Sequence, residues 1–377
     1  MILTVDNAEL KRVLACVTRV INPHVSIPIL SNVLITKDDD EYYIVANSTE
    51  TELSLKIAFH LISGTFEPIC INPAILSQMS GKLGNEQLKF TTEKAKVKIN
   101  YLTGNFSLPL FDAKEFPRIN NKLHDDATSF EIKSSFILPT LSSAATMVTN
   151  KDILRPILST IALDVVNDGI TVVGTDGHKL YRRRHTPGAP FLSEGKPRLM
   201  LYNSGTNSIV KEAFATSDKV KIASDSNMLH ITSDDAHFIS VNVHANYPNY
   251  DRVIPNEFKS QFTVNCKSLI DALQRVILVA SQASKMVTLT FSEQQLTISS
   301  SDTDFSTDGN ESLDIKDSTT PSGFHIAFKG TSFIDVLRLM QSDEIVIKLN
   351  TASQAAVIVE NDPNSEILAL MMPCTEN

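Results

Sequence analysis

The segment Asp176-Gly177-His178 is the chain's best candidate for catalytic or metal-binding chemistry. A protein metal site needs further ligands, and no Cys, Glu or second His stands at ligand spacing from this pair. The same three residues are typical of a tight turn, because Asp accepts backbone hydrogen bonds and Gly tolerates positive φ. We therefore predict a turn here and not a catalytic centre.

Other residue patterns that could do chemistry are weaker. The acidic segment from Asp302 to Glu311 has its glycine, Gly309, at the eighth position, whereas an EF-hand requires the sixth. The run Arg182-Arg183-Arg184-His185 could contact phosphate, although such a run is more often a solvated strand edge or pairs with acids. The sequence has no Gly-rich phosphate loop and no G-x-S-x-G elbow. A metal-dependent nucleic-acid enzyme stays an alternative, but it would need clustered carboxylates that the sequence does not pair convincingly.

Similar segments recur at a spacing of about 130 residues, which indicates whole repeated domains. Pro-Ile-Leu-Ser occurs at 28–31 and again 128 residues later, and an aromatic-Pro pair occurs at 116–117 and again 131 residues later. We predict three similar domains over residues 1–121, 122–256 and 257–377. The junctions near 120–129 and 255–261 are short and not rich in glycine, so we expect rigid coupling.

Each repeat combines two amphipathic helices with antiparallel hairpins, which predicts an α+β fold with helices covering one face of the sheets. The predicted helices span 6–21, 72–83, 134–149, 203–216, 266–281 and 329–341. Pro139 lies in the third of these, and we place it in the first turn, where its missing N–H costs little. Paired β-branched segments such as 32–36 with 42–46 and 287–291 with 295–299 predict the hairpins.

The composition is that of an ordered, globular chain of two or three domains, with 377 residues of which 42% are hydrophobic. The first residues have no signal-peptide pattern, and no apolar run is long enough for a membrane span. Four widely spaced cysteines without a CxxC pair indicate reduced thiols in a cytosolic, cytoplasmic protein.

The net charge of −9, taken alone, argues against nucleic-acid binding, but the charge is unevenly distributed. The six predicted helices sum to +4, which leaves −13 for the rest of the chain. Solvent-facing helix sides could simply favour Lys and Arg. Alternatively, the helices form one mildly basic surface whose contacts with DNA are weak, salt-sensitive and independent of base sequence.

Four segments in this order, on the repeated pattern, carry a resemblance to a known family. They are 27–34 (IPILSNVL), 175–180 (TDGHKL), 247–255 (YPNYDRVIP) and 370–373 (LMMP). Over essentially its full length the chain resembles the bacterial DNA polymerase III beta subunits, the sliding clamps. The resemblance implies a DNA-clamp fold and a head-to-tail homodimer that closes into a ring around duplex DNA.

The resemblance also implies a function without catalysis, cofactor or metal. Such a ring tethers the DNA polymerase III catalytic subunit and other clamp-binding proteins, and a clamp loader places it on DNA. A specialised paralogue that acts mainly as a protein scaffold is the alternative, because some positions that are usually basic are neutral here, among them 202–206 (YNSGT).

Partner proteins of this family insert a short apolar peptide into a pocket, and the resemblance transfers that pocket to matching positions. They are Arg155, Leu158, Thr175, Gly177, His178, Lys179, Leu180, Pro248, Arg252, Val253, Leu370, Met372 and Pro373. Lys179 stands where the family usually has Arg, and the tail after Pro373 is longer and acidic, so we expect an altered affinity for the usual peptide.

The resemblance and the charge distribution together give candidate DNA contacts and a candidate dimer seam. The DNA candidates are Lys11, Arg12, Arg19, His24, Lys82, Lys151, Arg155, Lys211, Lys267, Arg275, Lys329 and Arg338. The seam candidates are Phe106, Leu108, Leu278 and Val279, for which the alternative is an ordinary place in the core.

Overall fold

The computed structural model describes residues 1–22, 27–149 and 154–374. The chain forms two compact units. Unit 1 comprises Met1–Pro139, Pro190–Pro197 and Thr206–Asn242, and unit 2 comprises Thr140–Ala189, Arg198–Gly205 and Val243–Asn377.

Helix occurs at each of the six predicted positions, but every helix is shorter than predicted. The helices are α1 (Asn7–Val17), α2 (Pro73–Lys82), α3 (Ser134–Ala145), α4 (Asn207–Ala213), α5 (Cys266–Val276) and α6 (Gly330–Leu337). Short 3-10 turns account for part of the difference, at Ser204–Thr206 before α4 and at Ile277–Val279 after α5. The turn Ile277–Val279 continues the apolar spacing of α5 without α-helical hydrogen bonding, so the sequence pattern extends past the end of that helix.

The placement of Pro139 in the first turn of its helix was wrong. Because α3 begins at Ser134, Pro139 is an interior residue of that helix. The N–H that proline lacks would have donated to the carbonyl of Ser135.

The strands pair antiparallel throughout the part of the chain described. They are β1 (Ile2–Asp6), β2 (Val33–Asp38), β3 (Glu41–Asn47), β4 (Thr51–Ile57), β5 (His60–Ser63), β6 (Ile69–Ile71), β7 (Gln87–Glu93), β8 (Lys96–Tyr101), β9 (Gly104–Phe111), β10 (Thr128–Lys133), β11 (Thr160–Val166), β12 (Gly169–Thr175), β13 (Lys179–His185), β14 (Leu192–Glu194), β15 (Arg198–Asn203), β16 (Lys219–Ser224), β17 (Met228–Thr232), β18 (Ala236–Val241), β19 (Ser260–Asn265), β20 (Met286–Phe291), β21 (Gln295–Asp302), β22 (Thr307–Asp314), β23 (His325–Lys329), β24 (Glu344–Leu349), β25 (Ala356–Glu360) and β26 (Ile367–Met371).

One continuous sheet runs through unit 1, in the order β14-β10-β16-β17-β18-β4-β3-β2-β6-β9-β8-β7-β1-β5. The pairing of β18 with β4, in which Ile239 stands opposite Glu52, joins segments from the first and second repeats. The α+β prediction is confirmed, because helices α1 and α2 contact each other and α1 packs on β3 and β4.

Unit 2 contains two sheets. The first has the order β15-β11-β12-β13-β26-β25-β24-β19, and the second has the order β22-β21-β20-β23.

Helix α5 illustrates why the local sequence folds as it does. The Asn265 side chain caps it by accepting from Ser268 N at 2.9 Å, and Leu269, Leu273 and Val276 are buried along one face. Lys267 and Arg275 are left exposed.

All four cysteines are free, and three of them, Cys16, Cys70 and Cys266, are buried. Burial raises the pKa of the Cys70 thiol to about 12, and of the Cys266 thiol to about 11. Within residues 1–22, 27–149 and 154–374, no helix has both the length and the apolar character needed to cross a membrane.

Candidate functional site

The segment from Thr175 to Lys179 forms the predicted tight turn between β12 and β13. Asp176 Oδ1 accepts hydrogen bonds from the backbone N of His178 at 2.8 Å and of Lys179 at 2.9 Å. Gly177 has a φ of +89°. The carboxylate is therefore used to hold the turn. No group of three or more His, Cys, Asp or Glu side chains suited to a metal occurs in the described part of the chain.

Strand β26 lies beside this turn and brings the end of the chain to it. In the register of β13 with β26, Lys179 stands opposite Met371 and Leu180 opposite Leu370. The backbone N of Met372 donates to His178 O at 2.8 Å. Residues from two of the predicted pocket segments, which are far apart in sequence, are thus joined by a backbone ladder.

A third segment, the 3-10 turn Tyr250–Val253, packs on the same apolar face. Leu180, Leu370 and Tyr250 belong to one buried cluster, against which the half-buried Tyr247 also packs. Two tyrosine hydroxyls fix the segment: Tyr247 donates to Val173 O at 3.2 Å and Tyr250 donates to Asp164 Oδ2 at 2.5 Å. Burial, followed by the bond to Asp164, raises the pKa of Tyr250.

Apolar surface remains exposed at this place. Val253 is 54% exposed and Met372 is 40% exposed, whereas Leu158 is buried. Because neighbouring large hydrophobic side chains are mostly buried, two exposed ones next to a buried cluster indicate a surface suited to an apolar ligand.

Polar groups also lie near the turn. A side chain built at Gly177 would place its Cβ 3.9 Å from Arg155 Nη1, so the Arg155 guanidinium lies beside the turn. Lys179 Nζ donates to Thr146 O at 3.0 Å, which ties this lysine to its own unit. Pro248 and Arg252 are exposed, and Pro373 is half-buried. All the predicted pocket residues lie within the limits of unit 2.

Two tyrosines of the cleft, Tyr247 and Tyr250, were not predicted as site residues. Tyr247 and Tyr250 belong to the motif that carried the resemblance, but they had no place among the site residues. Their spacing was the available signal, because two tyrosines three residues apart, the first directly before Pro248, indicate aromatic rings that pack on the protein.

Several of the predicted DNA contacts form ion pairs with acidic side chains. Arg19 Nη2 lies 2.7 Å from Glu212 Oε2, Arg275 pairs with Glu311, and Lys267 Nζ lies 3.5 Å from Asp271 Oδ2. In the described ranges no ion pair involves the other helix candidates, which are Lys11, Arg12, Lys82, Lys211, Lys329 and Arg338. His24 and Lys151 lie outside the described residues.

The seam candidates differ in exposure. Phe106 is 39% exposed and stacks on Tyr101, with ring centroids 5.6 Å apart, and Leu278 is 77% exposed. Leu108 is only 6% exposed. Val279 is half-buried, and its carbonyl accepts from Thr307 Oγ1 at 3.1 Å. Phe106 and Leu278 are thus the two with side chains available for another molecule.

Comparison with known proteins gives consistent matches along the chain. The model of the DNA polymerase III beta subunit N-terminal domain matches residues 1–120, and that of the C-terminal domain matches residues 251–375. The beta sliding clamp of Vibrio cholerae is 22% identical over 376 residues, covering 98% of each chain. That of Helicobacter pylori strain J99 is 24% identical over 302 residues, covering 78% of each chain.

Solved structures agree on the fold. The sliding clamp of Pseudomonas aeruginosa bound to griselimycin superposes with a TM-score of 0.90 at 19% identity, and both chains are fully covered. The sliding clamp of Bacillus subtilis superposes with a TM-score of 0.89 at 18% identity, again with full coverage.

Proposed function

The chain belongs to the DNA polymerase III beta-subunit family, the beta sliding clamps, and on this premise we propose which of its surfaces perform the work of a clamp. It is a DNA sliding clamp, a processivity factor without catalytic activity of its own.

We propose that the cleft formed by the Thr175–Lys179 turn, β26 and Tyr250–Val253 binds an apolar peptide of partner proteins. The observation that carries this proposal is the joining of three distant segments around Leu180 and Leu370, with Val253 and Met372 left exposed. An apolar surface that includes an exposed, flexible methionine, Met372, adapts to several related ligands. The partners are the DNA polymerase III catalytic subunit, the clamp loader and other proteins with a clamp-binding segment.

We further propose that two copies associate head to tail into a ring around duplex DNA, with three domains in each chain. The family matches to residues 1–120 and 251–375 support domain limits close to 1–121 and 257–377. Phe106 and Leu278 are the proposed contacts at the seam. DNA is held by enclosure and by phosphate contacts from exposed Lys and Arg of the helices, without base recognition.

A titration of labelled catalytic-subunit segments tests the cleft. Val253→Ser and Met372→Ala should each weaken binding about tenfold, because each removes apolar area from the contact. Val166→Ser, a change of the same type at an exposed position of β11, is the matched control and should leave affinity unchanged. Unaltered affinity in both cleft variants would contradict the assignment, provided that light scattering gives the same mass for all variants.

Retention on DNA tests the ring. Protein loaded by its clamp loader on a nicked circular plasmid should stay bound, and cutting the circle should release it, because enclosure requires a closed path. Release that does not depend on cutting would favour the scaffold paralogue instead. The ion pairs of Arg19 and Arg275 are the observation that keeps this alternative open.

A further inference from the structure

We propose that Arg182 and Arg184 form a carboxylate subsite that extends the peptide cleft, so that partners of this clamp carry an acidic residue close to their apolar anchor. The inference rests on the proposed peptide cleft. It assigns a role to the Arg182-Arg183-Arg184 run, which the cleft residues do not include.

The two arginines lie on the same face of β13 as Leu180, which belongs to the apolar cluster of the cleft. Side chains two apart on a strand share a face, at about 6.6 Å per step. Across the ladder to β26, Leu180 stands opposite Leu370 and Arg182 opposite Leu368, and both leucines belong to the same cluster. A peptide anchored at Leu180 therefore needs only one or two steps to reach the arginines.

Arg182 lacks a close acceptor although its side chain is only 16% exposed. Its Nε has no hydrogen-bond partner among the described residues. The nearest carboxylate oxygen, Asp251 Oδ1, lies 3.6 Å from Arg182 Nη1 and 3.9 Å from Arg184 Nη2. Charge-assisted hydrogen bonds are about 2.7–2.9 Å long. At 3.6 and 3.9 Å, the Asp251 carboxylate therefore makes no close hydrogen bond to either arginine.

The charges around the pair leave room for one carboxylate. Two other acids lie here: Asp164 is engaged by the Tyr250 hydroxyl, and Glu366, whose carbonyl accepts from Arg184 N across the ladder, accepts from Thr186 Oγ1 at 3.0 Å. Asp251 is 58% exposed and Arg184 is 47% exposed, so Asp251 can rotate into solvent and an incoming group can reach both arginines. With Asp251 turned away, an incoming carboxylate replaces the single negative charge of Asp251 one for one, whereas a doubly charged phosphate would add a further negative charge beside Asp164 and Glu366. Burial, then the nearness of Arg184, lowers the pKa of Arg182, in line with an under-compensated cation.

The test uses a labelled catalytic-subunit segment that binds the wild-type chain and loses affinity in Val253→Ser. Asp is placed in turn at each position flanking its apolar residues, and each Asp peptide is compared with its Asn counterpart by fluorescence anisotropy. At one of these positions the Asp peptide should bind about tenfold more tightly than its Asn counterpart. Arg184→Gln should remove this difference in affinity without changing the affinity for the Asn peptide. Asp251→Asn should enlarge the difference.

Lys259→Gln, which removes one exposed positive charge from the same unit, is the matched control and should preserve the advantage. Arg184 is the chosen position because it is half exposed, so its substitution does not open a buried site. If no Asp peptide binds more tightly than its Asn counterpart while the Asn peptides still bind, the proposed carboxylate subsite is contradicted and the proposed peptide cleft is not. Competition by millimolar inorganic phosphate as strong as that by acetate would overturn the carboxylate assignment. If no segment binds at all, the proposed cleft itself fails.

Discussion

Arg19 of α1 and Glu212 of α4 form an ion pair, with Nη2 and Oε2 2.7 Å apart. Arg275 of α5 is paired in the same way with Glu311 of β22, through Nε at 2.8 Å and Nη2 at 2.5 Å. Both arginines were predicted to contact DNA. Because an acid already neutralises each of them, a phosphate must compete with a carboxylate for the guanidinium. DNA association should therefore be weaker than the number of basic residues suggests.

Removing these acids should strengthen DNA association. In Glu212→Gln and Glu311→Gln, Arg19 and Arg275 become available to phosphate, and the slope of log K against log salt concentration should steepen by about 0.9 for each. Fluorescence anisotropy of a labelled duplex over a range of NaCl concentrations measures both effects.

The matched control for this prediction is Glu293→Gln, which removes one exposed negative charge from the turn between β20 and β21. It changes net charge equally but frees no arginine, so its salt slope should equal that of the wild type. An identical slope in all three variants would mean that neither Arg19 nor Arg275 faces DNA.

The sequence predicted the elements well, because their signal is local. In α5 the apolar residues recur at helical spacing and Asn265 provides a cap, so both the face and the start of the helix follow from adjacent residues. The end of that helix was predicted too late, because Ile277–Val279 keeps the apolar pattern in a 3-10 turn.

The ion pairs could not be predicted, because their partners lie far apart in sequence. Nothing in the sequence near Arg19 indicates that Glu212 is its neighbour. The partner of Arg275, Glu311, lies on a strand, so it was not counted in the charge of the predicted helices. The cleft residues were located only through the resemblance. The pairing of β13 with β26, which joins Leu180 to Leu370, follows from tertiary structure and not from the local pattern.

A buried carboxylate, Glu52, should be important for the stability of unit 1. Glu52 is 1% exposed, and it accepts from Arg118 Nε at 2.9 Å and from Ile119 N at 2.9 Å. Glu52→Gln replaces one charged acceptor with an amide, so it should reduce the free energy of unfolding by about 2 kcal/mol. Urea unfolding measures the change. Glu50→Gln, two residues away and exposed, should stay within about 0.5 kcal/mol; an equal loss in both variants would show that burial of Glu52 is not the cause.

Acid should destabilise unit 1 through the buried His230, which lies beside the half-buried His237. His237 Nε2 lies 3.4 Å from His230 Nδ1, and burial lowers the pKa of His230 from 6.5 to about 4, with the His237 charge adding to the effect and Asp225 opposing it. The unfolded chain binds a proton near pH 6.5 and the folded chain does not until about pH 4, so stability is retained above pH 6.5 and lost as pH falls towards 4.

For His230 alone, the loss between pH 7.5 and pH 5 should be about 2 kcal/mol in urea unfolding. His230→Gln should flatten the pH dependence by that amount. His60→Gln, at an exposed position of β5, is the control and should keep the wild-type dependence. An unchanged pH profile in the His230 variant would place the acid sensitivity elsewhere.

Gly174 of β12 lies against the end of α3, directly before the turn that shapes the cleft. A Cβ at this position would lie 2.2 Å from the carbonyl oxygen of Ala144 and 2.9 Å from its carbonyl carbon, both of them backbone atoms. Gly174→Ala should therefore displace α3 from β12, cost about 2 kcal/mol of stability and weaken peptide binding at the adjoining Thr175–Lys179 turn. Gly81→Ala, inside α2, places a Cβ that meets nothing within 4 Å beyond its chain neighbours and its own helix backbone, and it should instead stabilise by about 0.5 kcal/mol. Because the two substitutions are chemically identical, opposite shifts in the urea midpoint would assign the effect to the close approach of Ala144, and shifts of the same sign would rule it out.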